Sequence, residues 1–347
     1  MKKWVVLTAL CMFVSLLSAC GSNGNNNEKQ PASSPAASSA SSASSDPSAS
    51  PEQSDEPVSL AMGMQPWVGN GPWWIADKAG IFKKHGLDVT IKMFNQDADM
   101  NAAYAADVIQ VSNVATHTAI KLATKEGVPM TGVIFLDESH KADAVLGLTG
   151  IDSITQLKGK KIAFEEGTTS DLLIRKALKE NNISLDDVKF VQMPASDAGM
   201  ALLAKKVDAA VTYEPYISTI MNKGDASILY SGENAPGLIS DIAIVRTDFL
   251  EEHAGLKEKL MKAWDESLAY WKANQAEGNE IVAKESGISA EELPVILDGL
   301  KYFSTEDQNK LLDSGELLKS VQNIQQILIE QGALDKEVDL QKIVPTK

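Results

Sequence analysis

The stretch QPWVGNGPWW at positions 65–74 places Trp67, Trp73 and Trp74 in one short segment broken by Gly and Pro. Indole rings presented by a loop can wall a cation site, because the ring face attracts positive charge. Two acids farther along are placed to complete such a site. Glu214 follows Tyr213 and precedes Pro215 at the end of an apolar run, and Asp241 interrupts the run Leu238-Ile239-Ser240-Asp241-Ile242. A carboxylate inside an apolar run needs a hydrogen bond or a counter-charge, so Asp241 either touches a ligand or braces the chain. Two small polar turns, Gly167-Thr168-Thr169-Ser170 and Val111-Ser112-Asn113-Val114-Ala115-Thr116, read as strand-to-helix junctions. Thr168, Thr169, Ser112 and Asn113 there either hold a polar ligand or cap the helix that follows. Asn70, in the turn Gly69-Asn70-Gly71, joins them as a candidate, and Trp67 is the first choice for an aromatic wall. Trp73 is the second: Trp73 and Trp74 are adjacent and cannot share one helix face, so one of them belongs to the core.

These residues need strands that end at a common place. After Pro57 the chain alternates short β-branched or apolar runs with amphipathic stretches, the pattern of an α/β fold with largely parallel sheets. Strands are expected at 58–64, 87–94, 108–112, 130–136 and 144–148, then at 161–164, 188–193, 209–212, 228–230 and 242–245. Helices are expected between them, the first over 72–85, and only helices from residue 251 onward. The roughly 290 residues after the tether can bury two cores. The order fits two lobes, 58–148 with 246–347 and 149–245, with crossings near 148–153 and 237–245 and the helical C-terminus packed on the first lobe. A ligand then sits in the cleft between them, facing the C-terminal ends of strands.

The N-terminus bears on location. Lys2 and Lys3 precede an apolar run, Trp4 to Leu17, that is short for a membrane span and has the form of a secretory leader, residues 1–19. Leu17-Ser18-Ala19-Cys20 resembles the lipobox of bacterial lipoproteins, which implies lipidation at Cys20; the alternative is a plain leader cut after Ala19. Loss of Cys11 with the leader leaves no disulfide, thiolate nucleophile or cysteine metal site. Residues 20–57 are dominated by Asn, Ser, Ala and Pro, too polar to fold, and read as a disordered tether. Such a coil spans about 30–35 Å. The formal charge of −15 argues against a nucleic-acid partner. The four histidines lack metal-ligand spacing, and no nucleophile elbow, zinc-protease or phosphate-loop motif is present, so no catalytic residue, metal or cofactor is expected.

PWWIADKAGIFKKHGLDVTI, LKGKKIAFEEGTTSDLLIRKAL, VDAAVTYEPYI and PGLISDIAIVRTDFL, taken in order, resemble four blocks of the solute-binding proteins of nitrate, sulfonate, taurine and thiamine-pyrimidine ABC importers. The resemblance covers about residues 58 to 305. It implies a two-lobed periplasmic-binding-protein fold of type II, an importer permease as partner, a monomer, and extracytoplasmic action from the lipid anchor. It also implies that the Tyr213-Glu214-Pro215 corner faces the cleft, and that Asp137, Ser139 and Asp143, in Leu136-Asp137-Glu138-Ser139 and Ala142-Asp143-Ala144, belong to a cleft block. His140-Lys141 depart from the small residues that relatives often carry there.

The ligand expectation comes from residue chemistry. The chain has only two arginines, Arg175 and Arg246, neither in a cleft block, whereas sulfonate or nitrate sites want Arg, Lys or free N–H donors. Tryptophan with Asp137, Asp143, Glu214 and Asp241 instead suits a small cation such as guanidinium or another amine. Taurine, an aliphatic sulfonate, nitrate or a pyrimidine precursor stand as alternatives, and a surface sensor module or a pyrimidine-synthase-like enzyme as other classes.

Overall fold

The computed structural model describes residues 56–347 apart from positions 126 and 225. The leader, Cys20 and the tether to residue 55 lie outside the described residues. Among the described residues no helix is long and apolar enough to cross a membrane.

Two sheets form the frame. β1 (Val58–Met64), β2 (Leu87–Met93), β3 (Val111–Ala115) and β4 (Thr131–Ser139) belong to a six-stranded sheet. β5 (Asp143–Leu148), β6 (Lys161–Phe164), β7 (Lys189–Gln192), β8 (Ala209–Tyr213) and β9 (Ala226–Ser231) make a five-stranded sheet of order β7-β6-β8-β5-β9. The chain then returns: β10 (Ser240–Val245) inserts between β3 and β4, and β11 (Leu300–Tyr302) closes the far edge, for an order β11-β4-β10-β3-β1-β2. β1 runs parallel to both β2 and β3, and β6 to both β7 and β8, while β5, β10 and β11 pair antiparallel. Both sheets are therefore mixed rather than largely parallel.

Three expectations are corrected by this topology. β5, expected in the first group, pairs with β8 and β9, because both edges of β4 are already taken by β10 and β11. The first crossing is thus 140–142, upstream of 148–153. β10 belongs to the first sheet, which moves the second crossing to 232–239. β11 lies where only helix was expected; three residues carry no period, and only the free edge of β4 reveals the strand.

Helices cover both sheets. α1 (Gly71–Lys78) and α2 (Ile81–Lys84) replace the single expected helix, because Gly80 at φ 72° breaks it. α3 (Asp97–Ala105) and α4 (Thr116–Leu122) follow β2 and β3, and α5 (Thr169–Glu180), α6 (Ala195–Leu203) and α7 (Tyr216–Met221) cover the second sheet. After β10 come α8 (Thr247–Glu252), α9 (Leu256–Ala273), α10 (Gln275–Ser286) and α11 (Leu293–Leu297), then α12 (Thr305–Ser314) and α13 (Glu316–Glu330). α9 and α10 pack on α1, and α13 on α4, so the helical C-terminus buries the first sheet. Trp73, Trp74 and Trp264 lie inside that core with Leu260 and Ile75.

Candidate functional site

The strand ends of the two sheets meet around a cavity of about 100 Å³. Of the candidate residues, Trp67, Asn70, Asn113, Asp143, Thr168, Thr169 and Asp241 line it. The two sides touch through aromatics: Trp67, just before the 3-10 turn Val68–Asn70, meets Tyr213 of β8 edge to face with ring centroids 6.1 Å apart. Tyr213 in turn stands edge to face with Tyr216 at 5.5 Å. The Asn70 amide donates to the Gln65 carbonyl at 3.0 Å, which holds the turn carrying Trp67.

Five expected residues stand off the cavity wall. Trp73 is fully buried, packed on Phe82 and Trp264, and its indole donates to Asn113 Oδ1 at 3.2 Å. It positions a cavity residue from the core, because α1 turns its ring inward. Glu214 accepts from both the amide and the hydroxyl of Ser218 at 2.9 Å, and so caps α7 from the β8 corner. Ser112, Asp137 and Ser139 are all buried beside the site and none of their side-chain oxygens has a hydrogen-bond partner.

Asp137 is 1% exposed and sits directly opposite Asp241 across the β4–β10 ladder, with Tyr302 of β11 opposite Asp137 on its other side. Tyr302 is not free to serve these acids, since its hydroxyl donates to the Val68 carbonyl at 2.6 Å. The Trp67 indole N–H lies near both carboxylates and lowers the pKa of each, yet completes a hydrogen bond of normal geometry with neither. Gly69 fills the remaining gap, and a Cβ there would collide with the Trp67 indole and the Asp137 carboxylate.

The site is acidic, and burial shapes its titration. Burial first, then the charges of Asp143 and Asp97, pushes Asp241 up to about 7. Burial holds Asp143 at about 6 despite the Ser139 hydroxyl beside it, with the charge of Glu214 adding to the rise. Asp97, which accepts from Gln65 Nε2 at 2.7 Å, is also raised to about 6, by burial and then the charge of Glu165. Asp137 is held well above the carboxylate range by burial and next by the charge of Asp241.

No Lys or Arg lines the cavity among the described residues. Lys121, whose charge partly offsets the rise at Asp97, donates its hydrogen bond to the Gly167 carbonyl at 2.5 Å. Arg175 pairs with Asp171, and Arg246 with Asp248 and Asp107. At the start of α5, Thr168 Oγ1 accepts from the Ser170 amide at 3.3 Å and Asp171 accepts from the Gly167 amide at 3.0 Å, so the turn largely caps its own helix.

Sequence reasoning did not single out Gln65, Asp97, Glu165 and Ser170 among the lining residues, whereas Tyr213 lines the cavity from the corner that the family resemblance implies faces the cleft. Asp97 reads as an ordinary first-turn acid of α3, complementing the helix dipole. Glu165, whose carboxylate accepts from the Ala195 amide at 3.0 Å, carried a usable signal: it directly follows β6 at the strand's C-terminal end.

The family described as NMT1/THI5 like matches residues 70–278, more than half of the chain. The protein belongs to this family. It is 26% identical to a putative aliphatic sulfonates-binding protein of Bacillus subtilis (strain 168), over 99% of this chain and 95% of the relative. It is 25% identical to a putative ABC transporter periplasmic binding protein of Brachyspira hyodysenteriae, over 47% of this chain and 51% of that one. The crystal structure of the periplasmic aliphatic sulphonate binding protein SsuA from Escherichia coli superposes with a TM-score of 0.67 at 20% identity, over 83% of this chain and 98% of that one. The family member thus has the periplasmic-binding-protein fold, with α/β halves and a helical C-terminal region.

Proposed function

We propose that this family member is the extracytoplasmic solute-binding component of an ABC importer and that its solute is a small organic cation, an amine or a guanidinium-type compound. The importer role is supported by the relatives, which are named as binding proteins, and by a cavity sized for a small solute. The observation that carries the ligand class is the wall itself. Asp97, Asp143, Glu165 and Asp241 surround an aromatic pair, with no lining Lys or Arg. A cation gains charge-assisted hydrogen bonds and ring-face attraction there, whereas an anion meets several carboxylates.

The two sheets act as two lobes that close on the solute, flexing at 140–142 and 232–239, and the closed form docks on the permease. Ligand favours closure only through its higher affinity for that state. The protein works as a monomer held to the membrane by a lipid on Cys20, and it binds its solute without turning it over.

A second reading follows the relatives: an aliphatic sulfonate, or taurine, with its anionic end at the start of α5, where Thr168, Thr169 and Ser170 reach the cavity. A thermal-shift screen of guanidinium, alkylammonium ions, taurine, ethanesulfonate and nitrate separates the two. Stabilisation by cations is the expected result, and stabilisation only by anions would sink the cationic reading.

A further inference from the structure

The Asp137–Asp241 pair is more acidic, and less satisfied, than a scaffold needs. Like charges directly opposite on neighbouring strands destabilise a sheet. A buried carboxylate without partners is costly. Here both oxygens of Asp137 are unpartnered at 1% exposure, and so is the buried Trp67 indole N–H beside them. The Asn113 side chain, 6% exposed and on the cavity wall, also keeps an unpartnered Nδ2 after its Oδ1 is taken by Trp73. Buried polar atoms normally find partners, so a concentration of orphans at one wall marks where a bound group completes the set.

The arrangement of these acceptors is specific. Asp241 lies on the cavity wall, and Asp137 stands one strand farther in, on the same sheet face, beneath Trp67 and Gly69. A point-charge ammonium resting on Asp241 leaves the inner carboxylate unserved. A flat cation with N–H groups along two edges reaches both, one edge on each acid.

Resting on the cationic reading above, we propose that Asp137 and Asp241 form a two-carboxylate anchor for a planar, multiply N–H-donating cation of the amidinium or guanidinium class, and that Asp137 selects this class over alkylammonium ions. Asp137 is then the residue that discriminates among cations, while Asp97, Asp143 and Glu165 supply general attraction.

Calorimetric titration of the protein with guanidinium, acetamidinium, methylammonium and ethanesulfonate tests it, with Asp137→Asn as the paired variant. The expected result is at least tenfold tighter binding of the two planar cations than of methylammonium. In Asp137→Asn that ratio falls to about one, while circular dichroism shows an unchanged fold. Cations that bind without this preference, or a preference that survives in Asp137→Asn, would overturn the anchor and leave the cationic reading standing. Binding of ethanesulfonate alone would overturn both. The wild-type ratio decides the matter even if the variant does not fold.

Discussion

Asp137 and Asp241 face each other across the β4–β10 ladder, Asp137 buried and Asp241 half-buried on the cavity wall, and neither oxygen of Asp137 has a hydrogen-bond partner. Such a contact weakens the empty protein and strengthens the hold on a cation. Removing the charge of Asp241 therefore has opposite effects on the two states. Asp241→Asn should bind a cationic ligand about ten- to a hundredfold more weakly, from loss of a charge-assisted hydrogen bond of about 1.5–3 kcal/mol. Its melting temperature without ligand, read at pH 8, should equal or exceed that of the parent protein.

The raised acids set a pH dependence whose sign is defined. Asp97, Asp143 and Asp241 titrate at about 6, about 6 and about 7 in the folded protein, above their ordinary 3.8. Between about pH 4 and 7 the folded state holds more protons than the unfolded chain, so stability from these groups falls as pH rises through that window. Thermal unfolding of the empty protein should give a shallower slope over this range for Asp241→Asn. Cation affinity should run the other way and rise from pH 5.5 to 8, because binding requires the carboxylates ionised.

Two tryptophans of the same segment should separate function from stability. Trp73→Ala removes a fully enclosed ring and should cost about 3–5 kcal/mol in denaturant unfolding. Trp67→Ala removes a cavity wall and one edge-to-face pair, about 0.5–1.5 kcal/mol. Calorimetry should find its ligand affinity reduced at least tenfold.

Gly69→Ala forces a methyl group between the Trp67 indole and Asp137. Overpacking of this kind costs about 1–3 kcal/mol. Because the displaced groups belong to the site, affinity should fall with stability, in contrast to Trp73→Phe.

Glu214→Gln tests an expected acid that the fold diverts to capping a helix. Glu214 accepts two hydrogen bonds from Ser218 and stands off the cavity wall. The substitution should lower the melting temperature slightly, with ligand affinity within about threefold of the parent, consistent with the modest worth of a single helix cap of about 1 kcal/mol.

Much of this site was readable without coordinates, and the reason is local. Trp67, Asn70, Asn113, Thr168 and Asp241 belong to turns or strand ends whose composition announces them, and α/β folds place such ends at the cleft. Residues decided by long-range pairing were harder. Nothing near β5 shows that both edges of β4 are occupied, so only the completed sheet moves Asp143–Leu148 to the other half. Trp73 and Glu214 have the residue types of ligand contacts, and only packing on Trp264 and the capping of α7 assign them structural work.

The sequence alone determined the α/β alternation, the absence of a cysteine or histidine constellation, the scarcity of arginine, and a set of acids and tryptophans suited to a cation. The tertiary structure decided which of those acids meet. It brought Asp97 and Glu165, distant in sequence, to the same wall, and set Asp137 against Asp241, 104 positions apart by their residue numbers. The physical reason is that composition and periodicity report what each segment can bury. Which carboxylates share a low-dielectric space depends on strand register across the sheet, and register is set by the whole core at once.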